Sequence, residues 1–161
     1  MKIFVLLLVV FTISFYACKS SNKEIDSKEQ KSSSKFNPEL VEKLEADKYG
    51  MSQYVLAFLK AGPNRSQDSI SAAALQKAHL DNITRLANKG KLVLAGPFMD
   101  NGDIRGIYIF NVSSIEEARK LTESDPAIQA GRLIMELRPW YGSAALKQIN
   151  KLHETIAKKK F

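Results

Sequence analysis

The stretch that decides the fold is KLVLAGPFMDNGDIRGIYIFNV, residues 91–112. Leu92 to Ala95 is a short apolar run that Gly96-Pro97 brings to an end, and Ile104 to Val112 is a longer run rich in β-branched and aromatic residues. The sequence DNGD between them, residues 100–103, is typical of the turn of a β-hairpin. We therefore predict two neighbouring antiparallel strands joined by this turn.

One helix is predicted on each side of this hairpin. Before it, DSISAAALQKAHLDNITRLAN (residues 68–88) is a single long helical segment, and Gly90 is a typical glycine C-terminal signal. After it, Ser113 or Ser114 caps SIEEARKLTES, whose first turn carries two glutamates where the helix dipole favours acidic side chains. Asp125-Pro126 then opens a short helical turn that ends at Gly131.

Two further strands are predicted, one before the first of these helices and one after the short turn at Asp125-Pro126. Tyr54 to Leu59 is a continuous apolar run, and Arg132 to Arg138 is a fourth strand that Pro139 is expected to close. The order β-α-β-β-α-β predicts an α+β, ferredoxin-like fold: an antiparallel sheet with both helices on one face. Because the strands are apolar on both faces, the other face should be covered too, and we expect a homodimer that packs sheet to sheet.

Segments outside residues 50–142 flank this domain. Asn37-Pro38, an N-cap followed by proline, begins a predicted N-terminal helix over 37–49. Residues 143–161 are predicted to form an added C-terminal helix. Its apolar residues recur at helical spacing: Leu146, Ile149, Leu152 and Ile156.

The N-terminus has the features of a targeting segment. Residues 1–17 have a positive start at Lys2 and an uncharged, mainly apolar run over Ile3 to Tyr16, which is too short for a comfortable membrane span and suits a signal peptide. Residues 14–18 (SFYAC) resemble the lipobox of bacterial lipoproteins, in which a cysteine such as Cys18 is diacylated. We expect a lipidated Cys18 and a flexible tether over 18–36 at the bacterial cell envelope. The alternative is an ordinary cleaved signal and a secreted or periplasmic protein.

The charge of the chain favours a membrane over a nucleic acid as its partner. The net charge is +7, but many of the lysines lie in the tether and at the C-terminus, outside the domain. Nucleic-acid binding would instead need basic and aromatic residues interleaved on one surface of the domain. Cys18 is the only cysteine, so an intramolecular disulfide is excluded.

His79 is the candidate functional residue that the helical pattern reveals. With Leu75 at zero and about 100° per residue, Leu86 falls near 20°, His79 near 40° and Ile83 near 80°. The imidazole therefore points with the apolar residues toward whatever the helix packs on, and a titratable ring in a core needs a partner. The alternative is a structural core histidine whose nitrogens are satisfied by the backbone.

A family resemblance follows from several motifs in order. These are AHL at 78–80, GKLVLAGP at 90–97, SDP at 124–126 with Ala130-Gly131, and RPW at 138–140. Residues 50–142 resemble the YciI-like (YCII-related) domain family. The resemblance implies a dimeric ferredoxin-like fold and a characteristic His and Asp, for which an enzymatic function has been suggested.

The resemblance implies roles for His79 and Asp125 but names no substrate. A carboxylate bonded to one ring nitrogen would fix the tautomer and stabilise the imidazolium. Capping of the turn at Pro126 also explains Asp125 by itself, and the two roles are compatible. Gly96-Pro97 lies beside the pocket in the family, while Arg138 and Trp140 either line that pocket or seal the core or dimer edge.

Other kinds of site have little support in the sequence. Arg105 beside Gly106 is better explained as a solvated strand residue than as an anion site. His153, the other histidine, lies among lysines, so we expect no metal site, and no cofactor-binding motif is present.

We therefore expect a membrane-tethered protein that performs cofactor-independent proton-transfer, elimination or hydrolytic chemistry on a small organic molecule. His79 would be the general acid or base and Asp125 its orienting partner. The alternative is a non-catalytic module of the cell envelope that binds a small molecule or a protein.

Overall fold

The computed structural model describes residues 35–159, and the predicted signal peptide, Cys18 and most of the tether lie outside these residues. The elements in chain order are α1 (Pro38–Lys43), β1 (Met51–Ala61), α2 (Ser69–Asn88), β2 (Leu92–Pro97), β3 (Ile104–Phe110), α3 (Ile115–Glu123), α4 (Pro126–Gln129) and β4 (Leu133–Ser143). A 3₁₀ helix (Ala144–Gln148) and α5 (Ile149–Ile156) follow.

The four strands form one antiparallel sheet in the order β2-β3-β1-β4. The predicted hairpin is present as β2 and β3, in which Ala95 pairs with Tyr108. This order and the two helices α2 and α3 confirm the predicted α+β, ferredoxin-like fold. The central strands β1 and β3 are therefore each hydrogen-bonded to a neighbouring strand on either side, while β2 and β4 form the edges of the sheet.

The main core lies between the sheet and the helices. Alternate residues of a strand point to one face, so Val55, Ala57 and Leu59 of β1 face α2 and α3. Leu86 of α2 and Ala118 of α3 pack against the same cluster, which places both helices on one face as predicted. A smaller cluster of Tyr54, Val93 and Ile109 lies on the opposite face, where Leu146 of the 3₁₀ helix covers part of it.

The strands extend further than the proline positions predicted. Pro139 does not close β4, which continues to Ser143, and Pro97 is the last residue of β2 rather than a residue beyond it. Both prolines lie on edge strands, where a residue without a backbone N–H is tolerated because one side of the strand has no partner. The expectation that Pro139 ends the strand was therefore wrong.

The flanking helices are shorter than predicted. Within residues 37–49, α1 covers only Pro38–Lys43, because Glu45 adopts a positive φ of 49° and turns the chain out of the helix. The side chain of Asp47 then accepts hydrogen bonds from the backbone amides of Tyr49 and Met51, which organises the turn into β1. Residues 143–161 include a 3₁₀ helix before α5 rather than one continuous helix. Within residues 35–159, no helix combines the length and apolar character needed to cross a membrane.

Candidate active site

Helix α2 carries His79 into the core. Asp68 caps the helix by accepting the backbone N–H groups of Ile70 and Ser71, and Gly90, with φ of +67°, lets the chain leave it. The buried residues of α2 are His79, Asn82 and Leu86, at spacings of three and four, so they share one helical face. The predicted inward direction of His79 is thus observed, and the residue is only 6% exposed.

Asp125 meets His79 from the turn between α3 and α4. Its Oδ1 accepts the backbone N–H of Ala127 at 2.9 Å, which caps α4, and its Oδ2 lies 2.8 Å from Nδ1 of His79. Asp125 is completely buried. One carboxylate therefore both caps a helix and pairs with the imidazole, the two roles that the sequence analysis found compatible.

Tyr108 of β3 occupies the other ring nitrogen of His79. Its hydroxyl lies 3.1 Å from Nε2, and the two rings stack with centroids 6.1 Å apart. Burial, and after it the charge of Asp125, raises the pKa of the Tyr108 phenol far above its ordinary value. The phenol therefore keeps its proton, and it donates to Nε2 whenever that nitrogen carries no proton of its own.

The protonation state of Asp125 determines the direction of its hydrogen bond with His79. Burial alone would raise the pKa of its carboxyl, but the hydrogen bond and charge of His79, with hydrogen bonds from Asn82 and the Ala127 amide, outweigh burial and lower the pKa. The ionised carboxylate can only accept, so Nδ1 of His79 carries the hydrogen and donates it. The result is a buried, directed line of hydrogen bonds from Tyr108 through His79 to Asp125.

Asn82 and Arg85 complete the network. Nδ2 of Asn82 donates to Oδ2 of Asp125 at 3.1 Å, while Oδ1 of Asn82 accepts from the Arg85 guanidinium at 2.6 Å. The same guanidinium donates to the hydroxyl of Ser124 at 2.8 Å. Because Arg85 can only donate, it holds the Asn82 amide in the orientation that points its NH₂ group at the carboxylate.

Sequence reasoning missed Tyr108, Asn82 and Arg85. A signal for Asn82 was present, because it lies three residues after His79 and therefore on the same helical face. Tyr108 had no such signal, since a tyrosine in an apolar strand is typical of a core residue. Arg85 lies three residues after Asn82 on the same helix, so a contact between the two was possible from spacing, but its hydrogen bond to Ser124 joins segments that are distant in sequence.

The remaining predicted site residues lie elsewhere. Gly96 and Pro97 pair with Ile107 and Gly106 of β3, adjacent to Tyr108 in the sheet register. The helix side of β4 is formed by its odd-numbered residues Leu133, Met135 and Leu137. Because side chains alternate along a strand, Arg138 and Trp140 point to the other face, away from His79. There Arg138 donates to Glu136, and the Trp140 ring lies 5.8 Å from that of Tyr54. Arg105 is exposed on β3.

A cavity of about 620 Å³ lies at another part of the surface. It is bounded by the turn after α1, the start of β1 and the first turn of α3, and its lining includes Asp47, Lys91 and Glu117 but not His79, Tyr108 or Asp125. The His79 network is therefore a buried arrangement beneath the surface rather than the wall of this cavity. In the described part of the chain, no three His, Cys, Asp or Glu side chains are grouped as metal ligands.

Comparisons with known proteins agree with the resemblance seen in the sequence. The family model for the YCII-related domain matches residues 54–141, more than half of the chain. Among solved structures, the chain is similar to 5-chloro-2-hydroxyhydroquinone dehydrochlorinase from Burkholderia phenoliruptrix, determined in complex with 2,5-dihydroxybenzoquinone. The two are 27% identical with a TM-score of 0.41, and the match covers 54% of this chain and 92% of that one. No curated protein matches the sequence.

Proposed function

The chain belongs to the YCII-related domain family, and from this premise we propose that it catalyses proton transfer on a small organic molecule, leading to elimination, isomerisation or hydrolysis. His79 is the general acid or base, and Asp125 orients it. The single observation that carries the proposal is the line of hydrogen bonds from Tyr108 through His79 to Asp125.

The geometry assigns the reacting nitrogen. Nδ1 of His79 is committed to Asp125, so protons enter and leave the ring at Nε2. Nε2 already accepts from Tyr108, so a substrate proton can move to the Tyr108 oxygen while Tyr108 passes its own proton to Nε2. Tyr108 then stays neutral, and the imidazolium formed is stabilised by the Asp125 carboxylate.

The experiment measures exchange of carbon-bound hydrogen for deuterium in D₂O by NMR. Enolisable ketones, lactones and hydroxylated aromatic compounds are the probes, with the wild type, His79→Gln and His153→Gln compared. We expect exchange with at least one probe class, reduced about 100-fold or more in His79→Gln and unchanged in His153→Gln. Equal rates in the wild type and His79→Gln would rule out the proposed role.

A second candidate function, a non-catalytic binding module, is favoured by the burial of the network. His79 is 6% exposed and Asp125 is completely buried, as expected for polar groups that stabilise a core. In this case no probe would undergo exchange, and His79→Gln would lower the free energy of unfolding without changing any rate.

We also propose that the protein is held at the bacterial cell envelope by lipidation of Cys18. The support is the uncharged, mainly apolar run over residues 3–16, whose last three residues begin the sequence SFYAC at 14–18. After a high-salt wash, Cys18→Ser should be released into the soluble fraction while the wild type stays in the membrane fraction. Mass spectrometry should find the acylated N-terminal peptide only in the wild type. A cleaved, unacylated N-terminus would instead indicate a secreted or periplasmic protein.

A homodimer through the outer face of the sheet is the remaining part of the proposal. The support is the large apolar side chains exposed there, among them Ile134 at 47% and Trp140 at 37%. Light scattering should give the mass of two chains for the wild type and of one chain for Ile134→Lys. A single-chain mass for the wild type would rule the dimer out.

A further inference from the structure

Helix α5 leaves two of its apolar residues, Leu152 and Ile156, uncovered. Ile149, Leu152 and Ile156 recur at spacings of three and four and so form one stripe along the helix. Leu152 is 62% exposed and Ile156 is 72% exposed, and every residue of 151–156 is exposed. Ile149 is half-buried, so the described part of the chain covers the stripe only at its start and leaves Leu152 and Ile156 exposed.

The attachment of α5 determines which way this stripe faces. Nδ2 of Asn150 donates to the backbone carbonyl of Leu92 at 2.7 Å, which turns the Asn150 side of the helix toward β2. With 3.6 residues per turn, Leu152 is about 160° and Ile156 about 120° around the axis from Asn150. The stripe thus points away from the sheet to which the helix is attached.

The charge near this helix indicates what could cover the stripe. Residues 151–161 contain four lysines and a single glutamate. Lys151, Lys158 and Lys159 are exposed. Pairing α5 with α5 of a second copy would bring like charges together, whereas an anionic surface would attract them. An apolar stripe flanked by lysines is the pattern of helices that lie in the interface of an anionic membrane.

We propose that α5 binds the surface of an anionic phospholipid membrane, with Leu152 and Ile156 inserted among the lipids and the lysines at the headgroups. The proposal rests on the proposed location at the cell envelope. A lipid anchor on a long tether would leave the domain free to turn, whereas contact through α5 would fix which side of the domain faces the membrane.

The experiment uses the chain from residue 18 onward carrying Cys18→Ser, so that no acyl chain contributes to binding. Sedimentation with vesicles of phosphatidylcholine and phosphatidylglycerol is compared with sedimentation with phosphatidylcholine alone. We expect binding to the anionic vesicles that weakens as salt is added. The Leu152→Ser/Ile156→Ser variant should bind at least about tenfold more weakly.

Ile70→Ser is the matched control, because Ile70 is an isoleucine on α2 that is 81% exposed. It should bind like the parent protein, and circular dichroism should show that all variants stay folded. The proposal is overturned if the parent ignores anionic vesicles or if the double variant binds equally well. It is also overturned if the double variant changes the oligomeric mass, since a second copy would then cover the stripe. None of these outcomes depends on whether Cys18 is lipidated in the cell or His79 is catalytic.

Discussion

The side-chain amide of Asn82 donates to Oδ2 of Asp125 at 3.1 Å, and that is the oxygen to which His79 is also bonded. The other oxygen accepts the Ala127 amide, so three donors surround a carboxylate that is completely buried. A buried charge without partners is very costly, and here all three donors come from two helices, α2 and α4. These hydrogen bonds connect α2 to the start of α4 and also hold the imidazole in place.

Asp125→Asn separates capping from pairing. Asparagine caps a helix as well as aspartate does, but an amide NH₂ in place of Oδ2 would face the donors of His79 and Asn82. We expect the free energy of unfolding to fall by about 1–3 kcal/mol in urea denaturation. Asp68→Asn, at the exposed cap of α2, is the control and should change stability little. An equally small effect at Asp125 would mean that capping is its whole contribution.

The stability that Asp125 provides should depend on acid pH. Its folded pKa lies below the ordinary value of about 3.9, so the stabilisation is fully present above that value and is lost as the pH falls through the folded pKa. The difference in unfolding free energy between wild type and Asp125→Asn should be constant above about pH 5 and shrink below about pH 4. A difference that grew on acidification would contradict the lowered pKa.

Tyr108→Phe removes only the hydroxyl that donates to Nε2 of His79. The ring can still pack edge-on against Phe110, at a centroid distance of 5.7 Å, so the loss in stability should be about 1 kcal/mol. The ¹⁵N chemical shift of His79 Nε2 should move, while Nδ1 should remain protonated and bonded to Asp125. Tyr54→Phe is the control: its buried hydroxyl donates to the Ser143 carbonyl on the other face, and its loss should leave the His79 shifts unchanged.

Asn82→Ala tests whether this amide helps to hold Asp125 ionised. The hydrogen bond from Asn82 is one of the contacts that lower the Asp125 pKa, so its loss should raise that pKa in a ¹³C NMR titration of the carboxyl. Arg85→Ala should give a smaller rise, because it frees the amide to rotate without removing it. Asn88→Ala, at the end of the same helix, should have no effect, and an unchanged Asp125 in Asn82→Ala would exclude the positioning role.

Much of the fold could be predicted because it depends on local chemistry. The cap at Asn37 and the one at Ser114, which was one of two serines offered by the sequence, each act within a few residues. Asp68, predicted as the first residue of the long helix, is its cap, and DNGD lies in the loop between β2 and β3. The end of β4 could not be predicted in this way. Whether Pro139 breaks a strand depends on whether that strand has one neighbour or two, and the strand order is a property of the whole sheet.

The candidate site was predictable only in part, for the same reason. His79 was identified because a helical face is defined by spacing along one segment, and the family resemblance added Asp125. Tyr108 becomes meaningful only when β3 is brought against α2, because its distance from His79 is a tertiary fact that no spacing in the sequence encodes. Arg85 lies three residues after Asn82 on the same helix, so spacing permits that contact, whereas its hydrogen bond to Ser124 depends on the tertiary structure.

The two edge strands of the sheet each carry one proline, Pro97 on β2 and Pro139 on β4. Neither edge therefore offers an unbroken row of N–H donors to an incoming strand from another molecule. Growth of the sheet from copy to copy, the first step toward fibrils, is obstructed on both sides. Such protection matters most where many copies of one protein are held close together.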